Sequence, residues 1–190
     1  MFHIVLFEPE IPPNTGNVAR LCAASTTELH LIEPLGFSLD DRYLKRAGLD
    51  YWPHVRVSVW PDFSAYCSGA GRGRRLVASS SRNGVAAHSF AFQPGDTLVL
   101  GPETRGLPDA IVARCHACVR IPIWGQVRSL NLSTAAGILL YFALASTGVL
   151  DQKDAELHGK NAPVFREGQE QEPGDGSATE ACPSSFDSHD

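Results

Sequence analysis

The chain has 190 residues, 43% apolar and 19% charged, with a formal charge of −5; this suits one globular domain with a proper core and excludes wholly disordered, collagen-like and fibrous classes. The charge is unevenly spread: residues 151–190 hold ten acidic and three basic side chains, net −7, so residues 1–150 are net +2, and Arg supplies twelve of their thirteen cations. Arg suits bidentate phosphate contact and base stacking, so a nucleic-acid partner stays open.

Met1 leads straight into HIVLF, a strand-like run and not a signal sequence, and the five cysteines form an odd set; both favour a reduced, cytoplasmic setting. After this strand, Asn14 in Pro12-Pro-Asn-Thr-Gly-Asn-Val-Ala-Arg20 can cap a helix through Val18, Leu21 and Cys22. Leu29–Ile32 reads as a strand, and Asp40 or Asp41 can open a helix through Leu44. Arg42, Lys45 and Arg46 form a basic cluster ahead of Tyr51 and Trp52, whose rings could stack on an exposed base; the alternative is a core Trp52 beside a solvated helix face. Val55–Val59 is the next strand. Gly69-Ala-Gly-Arg-Gly73 lacks the spacing of a dinucleotide loop and precedes a strand, so it reads as a flexible loop, with Arg72, Arg74 and Arg75 available to phosphate.

The strand Arg75–Ser79 follows, then Thr97–Leu100, which ends in Gly101 and a tight charged turn. Gly101 allows close backbone approach to a ligand, and Glu103 and Arg105 are either mutual partners or site groups. Leu107-Pro108 starts a helix where Pro is tolerated. Cys115-His-Ala-Cys118 has neither a second ligand pair nor a thioredoxin context, so structural cysteines are expected. Val119–Ile121 is the last strand, and Arg128, Ser129 and Asn131 precede an apolar helix that starts at Asn131 or Ser133 and is closed by Gly148. Residues 129–150 carry no charge, yet polar residues interrupt them and the apolar stretch 135–145 is too short to cross a bilayer. A buried or subunit-interface helix is expected there, and no membrane. The alternation of strands and helices predicts an α/β fold, a mostly parallel sheet flanked by helices with its site in strand-end loops. From residue 155 the chain turns acidic and aperiodic, which divides it into a domain over 1–154 and a disordered tail over 155–190. No GxxxxGK[ST], HExxH or GxSxG is present, which removes the usual support for NTPase and hydrolase readings.

The segments NTGNVAR, LVLGPETRGLP and IPIWGQVRSLNLS, in that order, resemble the three motifs of the SPOUT superfamily of methyltransferases. FEPEIPPNTGN, RLCA, HLIEPLGF and KRAGLDYW extend the likeness over residues 2–150, and are most similar to a bacterial subgroup that methylates the ribose of the wobble nucleotide, a cytidine or uridine at position 34 of leucine tRNAs. After RLCA those relatives usually read Asn-Thr-Gly where this chain has Ala24-Ser25-Thr26. The resemblance implies a SPOUT fold with a C-terminal deep trefoil knot, a homodimer, and S-adenosylmethionine as methyl donor, with no metal. The cofactor positions fall on Ser79, Gly101, Ile121 and Ser129, and tRNA would be met by Arg42, Lys45, Arg46 and Arg128. The resemblance points to Arg20 as the catalytic group, with Asn14, Glu103, Ser129 and Asn131 arranged around it. Because guanidinium stays protonated, Arg20 is expected to bind the RNA phosphate and stabilise the developing alkoxide, while a phosphate oxygen or a rare neutral guanidine takes the proton. The alternatives are 2′-O-methylation of another tRNA position or of ribosomal RNA, or a non-catalytic RNA-binding protein on the same fold.

Overall fold

The computed structural model describes residues 1–39 and 54–158. Seven strands, β1 (His3–Phe7), β2 (Glu28–Ile32), β3 (Val57–Trp60), β4 (Leu76–Ser79), β5 (Val85–Ala86), β6 (Thr97–Leu100) and β7 (Ala117–Arg120), form one sheet in the order β3-β2-β1-β6-β4-β7-β5. Every pair is parallel. The central strands β1 and β6 are buried along their whole length, as suits strands that are apolar after their first residue and covered on both faces.

The strand period of two sorts these side chains onto two cores. Ile4, Leu6, Leu29, Leu31, Leu98 and Leu100 meet Val18, Ala19 and Cys22 of α1 (Pro12–Ser25). The same core holds Ala136, Leu139, Leu140 and Ala143 of α4 (Leu132–Ser146). On the other face Val5, Phe7, Ile32 and Val99 meet Phe63 and Tyr66 of α2 (Phe63–Ser68). The uncharged helix is therefore the lid of the larger core, and Tyr141 and Phe142 stay exposed on its far side. The short α3 (Asp109–Val112) precedes β7, and α5 (Val149–His158) follows α4. No single helix among the described residues is long and apolar enough to cross a membrane, and α4 and α5 are bent by 83°.

Asn131 is the N-cap of α4, its Oδ1 accepting the N–H groups of Ser133 and Thr134 at 2.9 and 3.3 Å. Asn14, by contrast, does not cap α1. The helix starts at Pro12 behind Ile11, and Asn14 lies buried inside the first turn, because two prolines already supply helical φ there and its amide is needed elsewhere. At the other end of α1 Thr26 holds the left-handed conformation, φ 53°, at the place where the relatives' pattern has Gly. Gly148 has φ 71° and closes α4, but a helix resumes at once and runs to His158. Residues 155–158 are thus helix, where tail was expected.

The loop at Gly69–Gly73 is a packed turn: a Cβ on Gly71 would sit 2.6 Å from the Tyr66 ring. Arg74 and Arg75 are not free for phosphate. Arg74 donates to Thr97 Oγ1 (3.1 Å) and the Met1 carbonyl (2.6 Å). Arg75 donates to the Ala91 carbonyl (2.9 Å), lies 3.1 Å from Asp96 Oδ1 and stacks on Phe90. Both fasten the edge of the sheet where the strands begin.

At that same edge His3 and His30 are buried. The Trp60 indole N–H can only donate, so His30 Nδ1 accepts from it at 3.2 Å. The His30 proton then sits on Nε2 and is donated to His3 Nδ1 at 3.0 Å. The His3 proton is left on Nε2, 3.6 Å from Glu28 Oε2. With Glu28 these histidines have the composition of a metal site, but their lone pairs are consumed by the directed chain. Desolvation, chiefly, pushes both imidazoles down to about 4, so both are neutral at pH 7.

Candidate active site

The strand ends opposite that edge open into a cavity of about 810 Å³, a size suited to a cofactor. Its walls come from the segment after β4 (Ser79–Asn83), the turn after β6 (Leu100–Leu107), and the segment from Ile121 to Leu132 that joins β7 to α4. A second hollow, about 660 Å³, is lined by Glu33, Pro34, Leu35, Phe37, Ser38, Leu39 and Pro61 and shares no residue with these loops.

Gly101 sets the shape of the turn. A Cβ there would lie 2.2 Å from Leu107 N and 2.4 Å from Gly106 C, far inside contact distance. The turn's own backbone thus requires glycine here, and Gly106, at φ 71°, reverses the chain.

Three side chains then tie the loops together. Glu103 accepts the backbone N–H groups of Glu10 (2.9 Å) and Ile11 (3.3 Å) and the Asn14 amide (2.9 Å). Asn131 Nδ2 donates to Asn14 Oδ1 at 2.8 Å, and Asn131 Oδ1 caps α4. Each amide uses both ends, so the orientations of Asn14 and Asn131 are fixed by their partners. The carboxylate thereby organises the start of α1 and, through two amides, the start of α4. Glu103 and Arg105 are not partners of each other, since Arg105 pairs with Glu8.

The structure gathers Ser79, Gly101, Ile121, Ser129, Arg128, Asn14, Glu103 and Asn131 around this one cavity. Arg20 is exposed and lies six residues past Asn14 on α1, about 9 Å farther along the axis, outside the residues that line it. Arg42, Lys45 and Arg46, with Tyr51 and Trp52, lie outside the described residues. Cys118 reaches the wall, but burial raises its thiol and pushes Cys115 up to about 12; protonated thiols are poor nucleophiles and ligands. His116, between them, accepts the Leu76 N–H at 2.9 Å and serves the sheet. Residue patterns alone did not single out Glu8, Glu10 and Thr104, which cross-link the same loops.

The profile of the SpoU rRNA Methylase family matches residues 1–141. A tRNA (cytidine(34)-2′-O)-methyltransferase of Methylovorus glucosotrophus is 51% identical over 145 residues, covering 75% of this chain and 94% of that protein. A solved structure concerned with 2-OH methylation of C/U34 on tRNA is 49% identical with a TM-score of 0.74, covering 77% of this chain and 95% of its own. The SpoU methyltransferase AviRb from Streptomyces viridochromogenes, in complex with AdoMet, is 24% identical and covers 75% of this chain and 59% of its own, with a TM-score of 0.68, a likeness of fold.

Proposed function

The chain belongs to the SpoU rRNA methylase family, and from that premise we propose that it methylates the ribose 2′-hydroxyl of nucleotide 34, a cytidine or uridine, in tRNA, with S-adenosylmethionine as donor. The observation that carries this reading is the Asn14–Glu103–Asn131 network, which joins the three motif loops at one cavity. The cavity fits the donor chemically: Leu100, Ile121, Ile123 and Leu132 offer an apolar bed for a heterocycle, while Ser79, Ser129 and the loop backbones offer polar contacts. When bound, the donor supplies a methyl group already activated by the positive charge on sulfur, so no metal is required.

The protein's task is then to align a weak nucleophile and stabilise its oxyanion. Arg128 lines the cavity, and in this reading its guanidinium meets an RNA phosphate. Ser129, which lines the cavity too, contacts donor or ribose in the same reading. Glu103, Asn14 and Asn131 hold the walls in register. Arg20, outside this cavity, acts in a homodimer, where α4 offers exposed Tyr141 and Phe142 for association and an arginine of one subunit completes the site of the other. In this reading the last strand and helix belong to a trefoil knot, residues 1–154 form the catalytic domain, the acidic remainder is an appended tail, and the enzyme meets its tRNA in the cytoplasm.

Incubation with labelled S-adenosylmethionine and total tRNA, followed by nuclease mapping, tests the assignment. Label is expected in a 2′-O-methylated nucleotide 34 of leucine tRNAs. Label in a base, at another position, or in ribosomal RNA only would overturn it, and label in no RNA would favour a non-catalytic binding protein. Arg20→Ala should lower transfer at least about 100-fold with donor affinity unchanged. Mixed dimers of Arg20→Ala and Asn131→Ala subunits should recover activity that neither variant has alone.

A further inference from the structure

The loop between β1 and α1 and the turn after β6 grip each other in both directions. Glu103 of the turn takes the Glu10 N–H. In return the Glu10 carboxylate takes both the Thr104 N–H at 3.0 Å and the Thr104 hydroxyl proton at 2.8 Å. The Glu10 backbone is also held from behind: Gly36 donates its N–H to the Pro9 carbonyl at 2.9 Å, and a Cβ on Gly36 would lie 2.8 Å from Glu10 Cα. Glu10 is thus an anchored arm with its charged end on Thr104, a residue of the cavity wall. Core packing needs no carboxylate there, and solvent could satisfy the Thr104 N–H at this depth.

We infer that Glu10 is a positioning residue for methyl transfer. It acts through Thr104 to hold the Glu103–Gly106 turn in the form that receives S-adenosylmethionine, and so governs donor binding and not the bond-making step. The inference rests on the methyltransferase reading above. Glu10 touches neither donor nor reacting oxygen in this role; it removes freedom from the wall, and the donor then binds without ordering it.

Two charge-assisted hydrogen bonds onto one carboxylate set the scale. Glu10→Ala should raise both the Kd of the full-length protein for S-adenosylmethionine, measured by calorimetry, and the KM for it by about tenfold, with kcat within about twofold. Glu10→Gln keeps an acceptor for the Thr104 N–H and should recover most of the affinity. Thr104→Val keeps the N–H and loses the hydroxyl, so it should fall between them, and Glu10→Ala/Thr104→Val should be no weaker than Glu10→Ala alone. Unchanged donor affinity in Glu10→Ala, a fall in kcat at unchanged KM, or Glu10→Gln as weak as Glu10→Ala would overturn the role. If Glu10→Ala does not fold, Glu10→Gln and Thr104→Val decide by the same affinities. Wild-type protein that binds no S-adenosylmethionine would instead remove the methyltransferase reading.

Discussion

Lowering the pH from 6.5 to 4.5 should destabilise the folded chain by about 3 to 5 kcal/mol through His3 and His30. Both imidazoles are held neutral first by desolvation, with the nearby Arg74 charge acting in the same direction, and Glu28 offsets this only in part. A histidine whose folded pKa lies below its unfolded value stabilises fully above about pH 6.5 and loses that contribution as pH falls toward the folded value, because the unfolded chain takes up the proton first. Each group contributes about 1.4 kcal/mol per pH unit in that window, and the lower figure discounts His3 for the solvent that reaches the neighbouring Glu28. Geometry points the same way: protonating His30 Nδ1 expels the Trp60 N–H, and protonating His3 Nδ1 breaks the His30 bond. The groups facing the pair are Glu28 and, beyond it, Arg56, together with Arg74, the N-terminus and the Tyr66 ring. Urea unfolding followed by Trp fluorescence from pH 7.5 to 4.5 is the assay. His3→Gln, which keeps an acceptor for His30 and a donor toward Glu28, should lose about half of the pH slope. Parallel loss in wild type and His3→Gln would refute the directed chain.

Thr26→Gly should stabilise the chain by about 0.5 to 1 kcal/mol, since relief of the left-handed Thr outweighs the entropy of glycine. A thermal melt of both proteins reads it, and an unchanged or lower Tm would contradict the φ of 53° at that residue. Gly101→Ala should weaken S-adenosylmethionine binding at least about tenfold, because its methyl cannot coexist with Leu107 N at 2.2 Å; calorimetry at wild-type strength would show that the turn relaxes freely. Residues 159–190 carry a net charge of −5 and should compete with RNA for the arginines. Their deletion should tighten tRNA binding several-fold at low salt and little at high salt, and equal affinities in a filter-binding series would leave the tail without that role.

The strands were legible because parallel strands buried on both faces read as short, mostly apolar runs, as IVLF of β1 and LVL of β6 do, while His30 alone breaks the run in LHLI of β2. α2 and β5 were not, since six and two residues are too few to show a period. Asn14 looks like a cap from its neighbours alone, and only the fold shows that its amide is committed to Glu103, 89 positions away. Motif order brought Glu103 and Asn131 to the same site, whereas Glu10 and Thr104 carry no local signal of their partnership across 94 positions. In sequence Arg74 and Arg75 look available to phosphate beside a flexible loop; a carbonyl and a hydroxyl for one, and a carbonyl, a carboxylate and a ring for the other, claim them.

The placement of β1 beside β6 in the middle of the sheet has a bearing on how the chain is born. A ribosome delivers β1 first, with β2 available to pair on one side, but the apolar edge meant for β6 stays open until residue 100 has emerged. At ordinary rates of synthesis that wait is roughly 5 to 20 s, during which HIVLF is an uncapped edge of the kind that seeds association between nascent chains. The carboxylate that organises the cavity, Glu103, arrives at once behind the strand that closes this gap, and Asn131 later still. Sheet completion therefore precedes assembly of the site, so a molecule stalled at the first stage would be compact and inactive.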